Sequence, residues 1–252
     1  MIEKDLSFEE LGFSYEPGQW VLRGYGGKVE HSKVFAILGP NGCGKTTLLK
    51  LLIGLLRPQE GRVRNMGRIA FVPQLFQVSF AYTVFDMVLM GRVRRVGLFS
   101  TPSATDERAA FSALEKMGLA DLAERPFDQL SGGQRQLVIF ARALATEAGT
   151  LILDEPTAAL DLRNQRVILN WISRLAHEEG LAVVFTTHHP HHAFAAADTT
   201  LLMLGEREFL SGPTAQVMTE GHLRSLYGVD LKRLTFQNNG RKMETFVPVY
   251  DA

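Results

Sequence analysis

One stretch of nine residues, Gly39-Pro40-Asn41-Gly42-Cys43-Gly44-Lys45-Thr46-Thr47, restricts what this chain can fold into more than any other. Glycines at this spacing let the backbone turn so tightly that successive N–H groups point at phosphate oxygens, and a following helix adds the positive end of its dipole. Lys45 is then placed to reach the β- and γ-phosphates, and Thr46 to hold Mg²⁺. A glycine-rich turn before an ordinary helix has no need of the lysine and hydroxyl that this loop also fixes.

Such a loop requires a strand before it and a helix after it. Val34–Leu38 is a short continuous apolar run, the pattern of a strand buried on both faces of a parallel sheet. Residues 46–56 carry Leu48, Leu49, Leu51, Leu52, Ile53, Leu55 and Leu56, which predicts a helix apolar on nearly every side and therefore buried. Further apolar, β-rich runs at Ile69–Val72, Thr150–Leu153, 182–186 and 199–204 alternate with helical patterns, so the fold class is α/β with a mostly parallel central sheet. Between 83 and 142 the strands stop. Residues 84–90, 104–117 and the segment after Ser131 read as helices, an inserted α-helical subdomain. Ile168, Trp171, Ile172 and Leu175 recur at helical spacing as a core-facing stripe. Asn238-Asn239-Gly240 between two apolar runs signals a C-terminal hairpin.

Composition narrows the options. Lysine plus arginine and aspartate plus glutamate number 27 each in 252 residues, so the formal charge is zero and no general attraction to nucleic acid or an acidic membrane surface is expected. The single cysteine, Cys43, cannot form an internal disulfide, which fits a cytosolic setting; a reactive thiol there would need a lowered pKa. No secretory signal is visible at residues 1–5, and no apolar run approaches the roughly 20 residues needed to span a bilayer. If the protein works at a membrane, it docks on something else that crosses it.

Leu151-Ile152-Leu153-Asp154-Glu155-Pro156 is an apolar strand ending in two acids. In phosphate-loop ATPases an Asp at this point helps hold Mg²⁺, and Glu155 is placed to orient and deprotonate the attacking water. Standing alone, the pair could equally cap a turn. Leu130-Ser131-Gly132-Gly133-Gln134 lies far downstream of the loop. Ser131 opens a helix, and its hydroxyl and the neighbouring glycine N–H groups could meet a γ-phosphate at that helix tip.

The phosphate loop together with the segment from Leu130 to Gln136 resembles the nucleotide-binding subunit of ABC transporters, over essentially the whole chain. The resemblance implies a P-loop NTPase (RecA-like) core, residues 1–82 and 143–228, with a mostly parallel sheet and an antiparallel β edge subdomain. A helical subdomain would occupy 83–142 and a β extension 229–252. It implies ATP and Mg²⁺ as cofactors, and two copies head to tail, with ATP between the phosphate loop of one and Ser131 to Gln134 of the other. Gln74 resembles the glutamine that contacts Mg²⁺ and the attacking water, Asp161 the residue that crosses the dimer interface, and His188 the histidine that touches the γ-phosphate. Tyr15 is the candidate to stack on adenine, with Phe13 competing. His188-His189-Pro190-His191-His192 also invites a metal-site reading, since imidazole suits Zn²⁺, Cu²⁺ or Ni²⁺, but Pro190 suggests that His191 and His192 simply begin a helix. His189 departs from the acidic or amide residue usual there, and residues 24–32 depart from a more regular strand, so an irregular edge sheet is expected.

Residues 76–92 and the segments at 211–213, 217–219 and 226–229 look like importers of metal chelates, of the iron-siderophore, haem, cobalamin and molybdate class. That resemblance implies two integral-membrane permease subunits, an indirect extracytoplasmic solute-binding protein, no nucleic acid, and a place on the cytoplasmic face of the plasma membrane. An apolar groove near residues 74–90 would hold a short helix of each permease subunit. A same-fold ATPase without a permease, as in iron–sulfur cluster assembly, stays open as the alternative. Repair forms need a long coiled coil, translation forms usually two copies, and a phosphate-loop kinase or small GTPase has no use for Ser131 to Gln134.

Overall fold

The computed structural model describes residues 5–65, 67–74, 81–94, 101–158, 160–238 and 241–249. Strands β1 (Leu6–Glu16) and β2 (Gln19–Val29) form an antiparallel ribbon, and the chain then enters β3 (Val34–Leu38), the phosphate loop and helix α1 (Lys45–Leu52). β4 (Glu60–Asn65) returns to pair with the other side of β1, giving a three-stranded antiparallel edge sheet ordered β2-β1-β4. β5 (Ile69–Val72) precedes three helices, α2 (Val84–Leu89), α3 (Ala104–Lys116) and α4 (Gly132–Ala145). Strands then alternate with helices: β6 (Thr150–Leu153), α5 (Leu162–His177), β7 (Ala182–Thr187), α6 (Pro190–Ala196), β8 (Thr199–Met203). β9 (Phe209–Pro213), α7 (Thr214–Val217), α8 (Glu220–Tyr227) and the hairpin of β10 (Leu231–Asn238) and β11 (Arg241–Pro248) complete the chain.

The main sheet runs β5-β6-β7-β3-β8-β9, parallel except for the final β8–β9 pair. Its strands read as unbroken apolar runs because both faces are covered. Successive side chains of β3 point to opposite faces. Val34, Ala36 and Leu38 join the core shared with α2 to α6 and α8. Phe35 and Ile37 join a second core with α1 and the edge sheet. Residues 34–38 are at most 1% exposed, and each fully buried side chain of this size contributes about 1.5–3 kcal/mol.

One expectation needs correction, and one is met in the pairing rather than in the strand itself. The helix expected over 46–56 stops at Leu52, because Gly54 takes a left-handed φ of +76° that ends the helical path and leaves Leu55 68% exposed. The irregular edge expected at 24–32 is a continuous strand as far as Val29; the irregularity lies in its pairing, where the register with β1 shifts between Phe8 and Leu11. Glu10 and Gly24 both take positive φ at that shift. At the C-terminus β10 and β11 pair antiparallel as the hairpin signal implied, from Leu231↔Pro248 to Asn238↔Arg241, while the turn residues Asn239 and Gly240 lie outside the described residues. So do residues 76–80 and Ala159, on which part of the importer resemblance and of the Asp161 motif rested.

Candidate nucleotide site

Four of the parallel strands end on one edge, and each leads directly into a segment carrying candidate residues: β3 into the phosphate loop, β5 into Gln74, β6 into Asp154 and Glu155, β7 into His188. The carboxyl edge of an open α/β sheet is where such folds bind ligands, because the loops there are free of sheet pairing. The loop itself is shaped by Gly42 (φ +83°) and Gly44 (φ +103°). Gly44 is the N-cap of α1 and no side chain caps that end, so the helix presents its N–H groups to the loop. At Gly39 an added Cβ would stand 2.6 Å from Cys43 Sγ, so a larger residue there would have to push the Cys43 side chain aside.

Lys45, 5% exposed, donates to Gly39 O at 2.9 Å and Pro40 O at 3.0 Å and pairs with Glu155 Oε1 at 3.1 Å. Glu155 Oε2 in turn lies 3.0 Å from His188 Nδ1. Thr46 Oγ1 donates to Asp154 Oδ2 at 2.8 Å, and Thr186 Oγ1 donates to Asp154 Oδ1 at 2.7 Å. The same Thr186 oxygen accepts the N–H of Glu155 at 2.8 Å. Glu155 has φ +44°, a strained position for a residue with a Cβ, and such strain persists only where the surroundings hold it. The holders are Thr186 on its N–H and Lys45 and His188 on its carboxylate.

The other candidates occupy the periphery. Gln74 is exposed just past β5. Asn41 and Gly42 are exposed at the loop tip, and Thr47 is buried beneath it, its hydroxyl 3.2 Å from the Tyr15 hydroxyl. Tyr15 is 60% exposed while Phe13, edge-on to it at 5.0 Å, is 8% exposed, so only Tyr15 offers a ring face to solvent. Cys43 is held as a thiol: burial pushes its pKa up, against a smaller lowering by Lys45. Ser131 and Gln134 form a reciprocal cap at the start of α4, Gln134 N–H on Ser131 Oγ and Ser131 N–H on Gln134 Oε1. Gly132 is exposed beside them and Gly133 is buried. Their hydrogen bonds do not reach Lys45, Asp154, Glu155 or His188. Asp161 caps α5, accepting the Asn164 N–H at 2.8 Å.

In the histidine run, α6 starts at Pro190 as expected. His192 is 1% exposed and both its ring nitrogens are engaged, Nδ1 with Thr157 Oγ1 at 3.1 Å and Nε2 with Gln165 Oε1 at 3.3 Å. Burial, reinforced by His191, His189 and His188, pushes its pKa down to about 3. Among the described residues no group of three His, Cys, Asp or Glu side chains is arranged to hold a metal ion. Thr46 and Asp154 present hard oxygen donors side by side, the donor type that Mg²⁺ takes when phosphate oxygens complete its shell. Sequence reasoning missed Thr186, Thr157, Gln165 and Tyr227, whose hydroxyl donates to the His188 carbonyl at 2.9 Å, and it named His192 without finding its partners.

This combination of parallel sheet, glycine cradle, lysine and strand-end carboxylates defines a phosphate-loop nucleotide hydrolase. Residues 22–158 match the family model described as ABC transporter, and the chain belongs to that family as an ATP-binding, ATP-hydrolysing subunit. It is 41% identical over 99% of its length, and 98% of the relative's, to the molybdate import ATP-binding protein MolC of Haemophilus influenzae. It is 38% identical, over 86% of its length and 88% of the relative's, to the manganese transport system ATP-binding protein MntB of Bacillus subtilis. A solved structure assigned to the metal-chelate type of ABC transporter, in an inward-facing conformation, superposes with a TM-score of 0.94 at 41% identity, covering 98% of each chain.

Proposed function

We propose that this chain powers a membrane importer for a metal chelate or metal oxyanion, working as two identical copies beneath two permease subunits at the cytoplasmic face of the plasma membrane. The observation that carries the reading is the division of the site. Lys45, Asp154, Glu155 and His188 converge, whereas Ser131 and Gln134 cap an exposed helix tip without reaching them. A second copy placed head to tail brings that tip onto the nucleotide of the first. The likeness to a molybdate importer subunit and to a metal-chelate type transporter supports the cargo class.

In this reading the N–H groups of 39–47 and Lys45 bind the ATP phosphates, and Tyr15 stacks on adenine. Thr46, Asp154 and Gln74 hold Mg²⁺, which offsets charge on the phosphates when bound. Glu155 takes the proton of the attacking water, and His188, held to Glu155 at 3.0 Å, meets the γ-phosphate. Ser131, Gly132, Gly133 and Gln134 of one copy and Asp161 at the interface close the site of the other. Residues 83–142 form the helical subdomain that moves on closure, with residues 229–252 a C-terminal extension. Between that subdomain and the core lies a cavity of about 730 Å³ lined by Ile53, Phe71, Met90 and Ile139 together with Arg68 and Arg142; of the described residues in the expected 74–90 groove only Met90 lines it, and a short permease helix would seat here instead. Among the described residues no helix is long and apolar enough to cross a membrane.

Two experiments test this. Glu155→Gln should keep ATP binding, lose about 10²–10⁴-fold in turnover and accumulate an ATP-dependent dimer. Undiminished turnover identifies a different base. Purification from membranes should recover the chain with a polytopic partner; recovery only with soluble iron–sulfur assembly proteins overturns importer status.

A further inference from the structure

His192 is buried, bonded at both ring nitrogens and outside the chemistry above. Gln165 Nε2 donates to Leu160 O at 3.0 Å, which turns its Oε1 toward His192. An amide oxygen only accepts, so His192 carries its proton on Nε2 and donates it to Gln165, leaving Nδ1 to accept the Thr157 hydroxyl at 3.1 Å. A second hydroxyl, Thr187 Oγ1, lies 3.5 Å from the same Nδ1 and accepts the His189 N–H at 3.0 Å. One imidazole thus joins three segments: the residues after Glu155, the residue before His188, and the loop carbonyl before Asp161.

The far side of Leu160 and the first turn of α5 touches the serine-led helix tip. A Cβ added at Gly133 would stand 2.4 Å from Asn164 Oδ1, and one at Gly132 would stand 3.9 Å from Leu160 Cδ2. Residues 160–165 are therefore fastened to His192 on one side and packed against Gly132 and Gly133 on the other. Within one copy they span the gap between the two half-sites that face different nucleotides.

We propose that His192 and Gln165 are a positioning pair that fixes residues 160–165, the entry and first turn of α5, against the His188 segment, so that the phosphate-loop half-site and the Ser131 half-site of one copy keep the spacing needed to close on two nucleotides together. This rests on the two-copy reading above. The pair touches no substrate and acts through Leu160, Asp161 and Gly133. Losing it leaves the binding of a single nucleotide intact and weakens closure.

The test compares full-length Glu155→Gln with Glu155→Gln/His192→Leu and Glu155→Gln/Gln165→Ala. ADP affinity is measured by calorimetry and ATP-driven dimerisation by light scattering. ADP affinity should stay within about twofold, because Lys45 and residues 39–47 are untouched. Dimerisation should weaken about tenfold, the size of effect when a buried hydrogen bond is cut and its partner orphaned. On wild-type Glu155, His192→Leu should lower kcat about tenfold with KM for ATP little changed, and His192→Gln, which retains a donor and an acceptor, should recover most of it. Gln165 is only partly buried and sits in a helix that accepts alanine, so its variant folds even where the leucine variant does not. Unchanged dimerisation in both double variants overturns the proposal. So does a parallel loss of ADP affinity, the mark of general unfolding. A Glu155→Gln control that fails to dimerise overturns the two-copy reading itself, and the pair's role with it.

Discussion

Thr186→Val tests how the hydrolytic edge is held together. The Thr186 side chain is fully buried, and its hydroxyl makes two hydrogen bonds, donating to Asp154 Oδ1 at 2.7 Å and accepting the Glu155 N–H at 2.8 Å. Valine has nearly the same shape, so packing in β7 is retained and the change isolates the hydroxyl. Two groups lose their partner: a carboxylate oxygen on a residue 4% exposed, and a backbone N–H at a residue with φ +44°. Orphaning a buried polar group costs about 1–3 kcal/mol, so the pair sums to about 2–6 kcal/mol. Part of that should appear as lost stability in urea titration. The rest should appear in kcat, because the Glu155 backbone is then free to leave its strained conformation and carry the carboxylate with it. The lysine and residues 39–47 are untouched, so ATP affinity should move less than about threefold, under 0.7 kcal/mol. Thr186→Ser, which keeps the hydroxyl and drops a methyl, should recover kcat. Thr186→Val within about 0.5 kcal/mol of wild type in stability and with unchanged kcat would refute the argument that this hydroxyl holds Asp154 and Glu155 in place.

Tyr15→Ala should weaken ATP binding by about 1–3 kcal/mol, the range for an aromatic ring stacked on a base, with little loss of melting temperature because the ring is exposed. Phe13→Ala should instead cost about 3–5 kcal/mol of stability, as a buried aromatic does; reversal of these two profiles in calorimetry and nucleotide titration would exchange their roles. His192, with its pKa pushed down to about 3, binds no proton in the folded protein at pH 5, whereas the unfolded chain protonates it below about 6.5. The unfolded state therefore binds more protons, so stability should fall as pH drops from about 6.5 toward 3, and His192→Gln should flatten that slope in melting curves. Cys43, its thiol pKa raised by burial, should alkylate with iodoacetamide more slowly at pH 8 than a free thiol; rapid labelling there would reinstate a reactive cysteine.

The parts of this molecule legible from sequence are those where chemistry fixes residue types at short spacing. Lys45 and Thr46 follow their glycines because a phosphate cradle needs them there, and the strands 34–38, 69–72 and 150–153 stand out because a sheet covered on both faces tolerates no polar residue in its middle. What was illegible depends on contacts between residues distant in sequence. Thr186 reads as one more β-branched residue in a strand, and nothing local shows that its hydroxyl faces the Asp154 carboxylate across 32 positions. The end of α1 at Leu52 was hidden for a different reason: the leucines continue to position 56, and a single left-handed glycine outweighs their pattern.

The histidine run shows how tertiary context decides between readings that sequence leaves level. Four imidazoles in five positions are the composition of a metal site, and only placement shows whether their nitrogens converge. His188 turns Nδ1 to Glu155 while His192, four residues on, points into the core with Thr157 and Gln165 on its two nitrogens. A side chain bonded at both nitrogens has no lone pair left for a cation, and breaking those bonds to bind one would leave the Gln165 and Thr157 groups buried without partners. The same geometry that removes His192 from metal chemistry makes it a cross-brace between loops, so its imidazole serves through hydrogen bonds at a pH where it carries no charge.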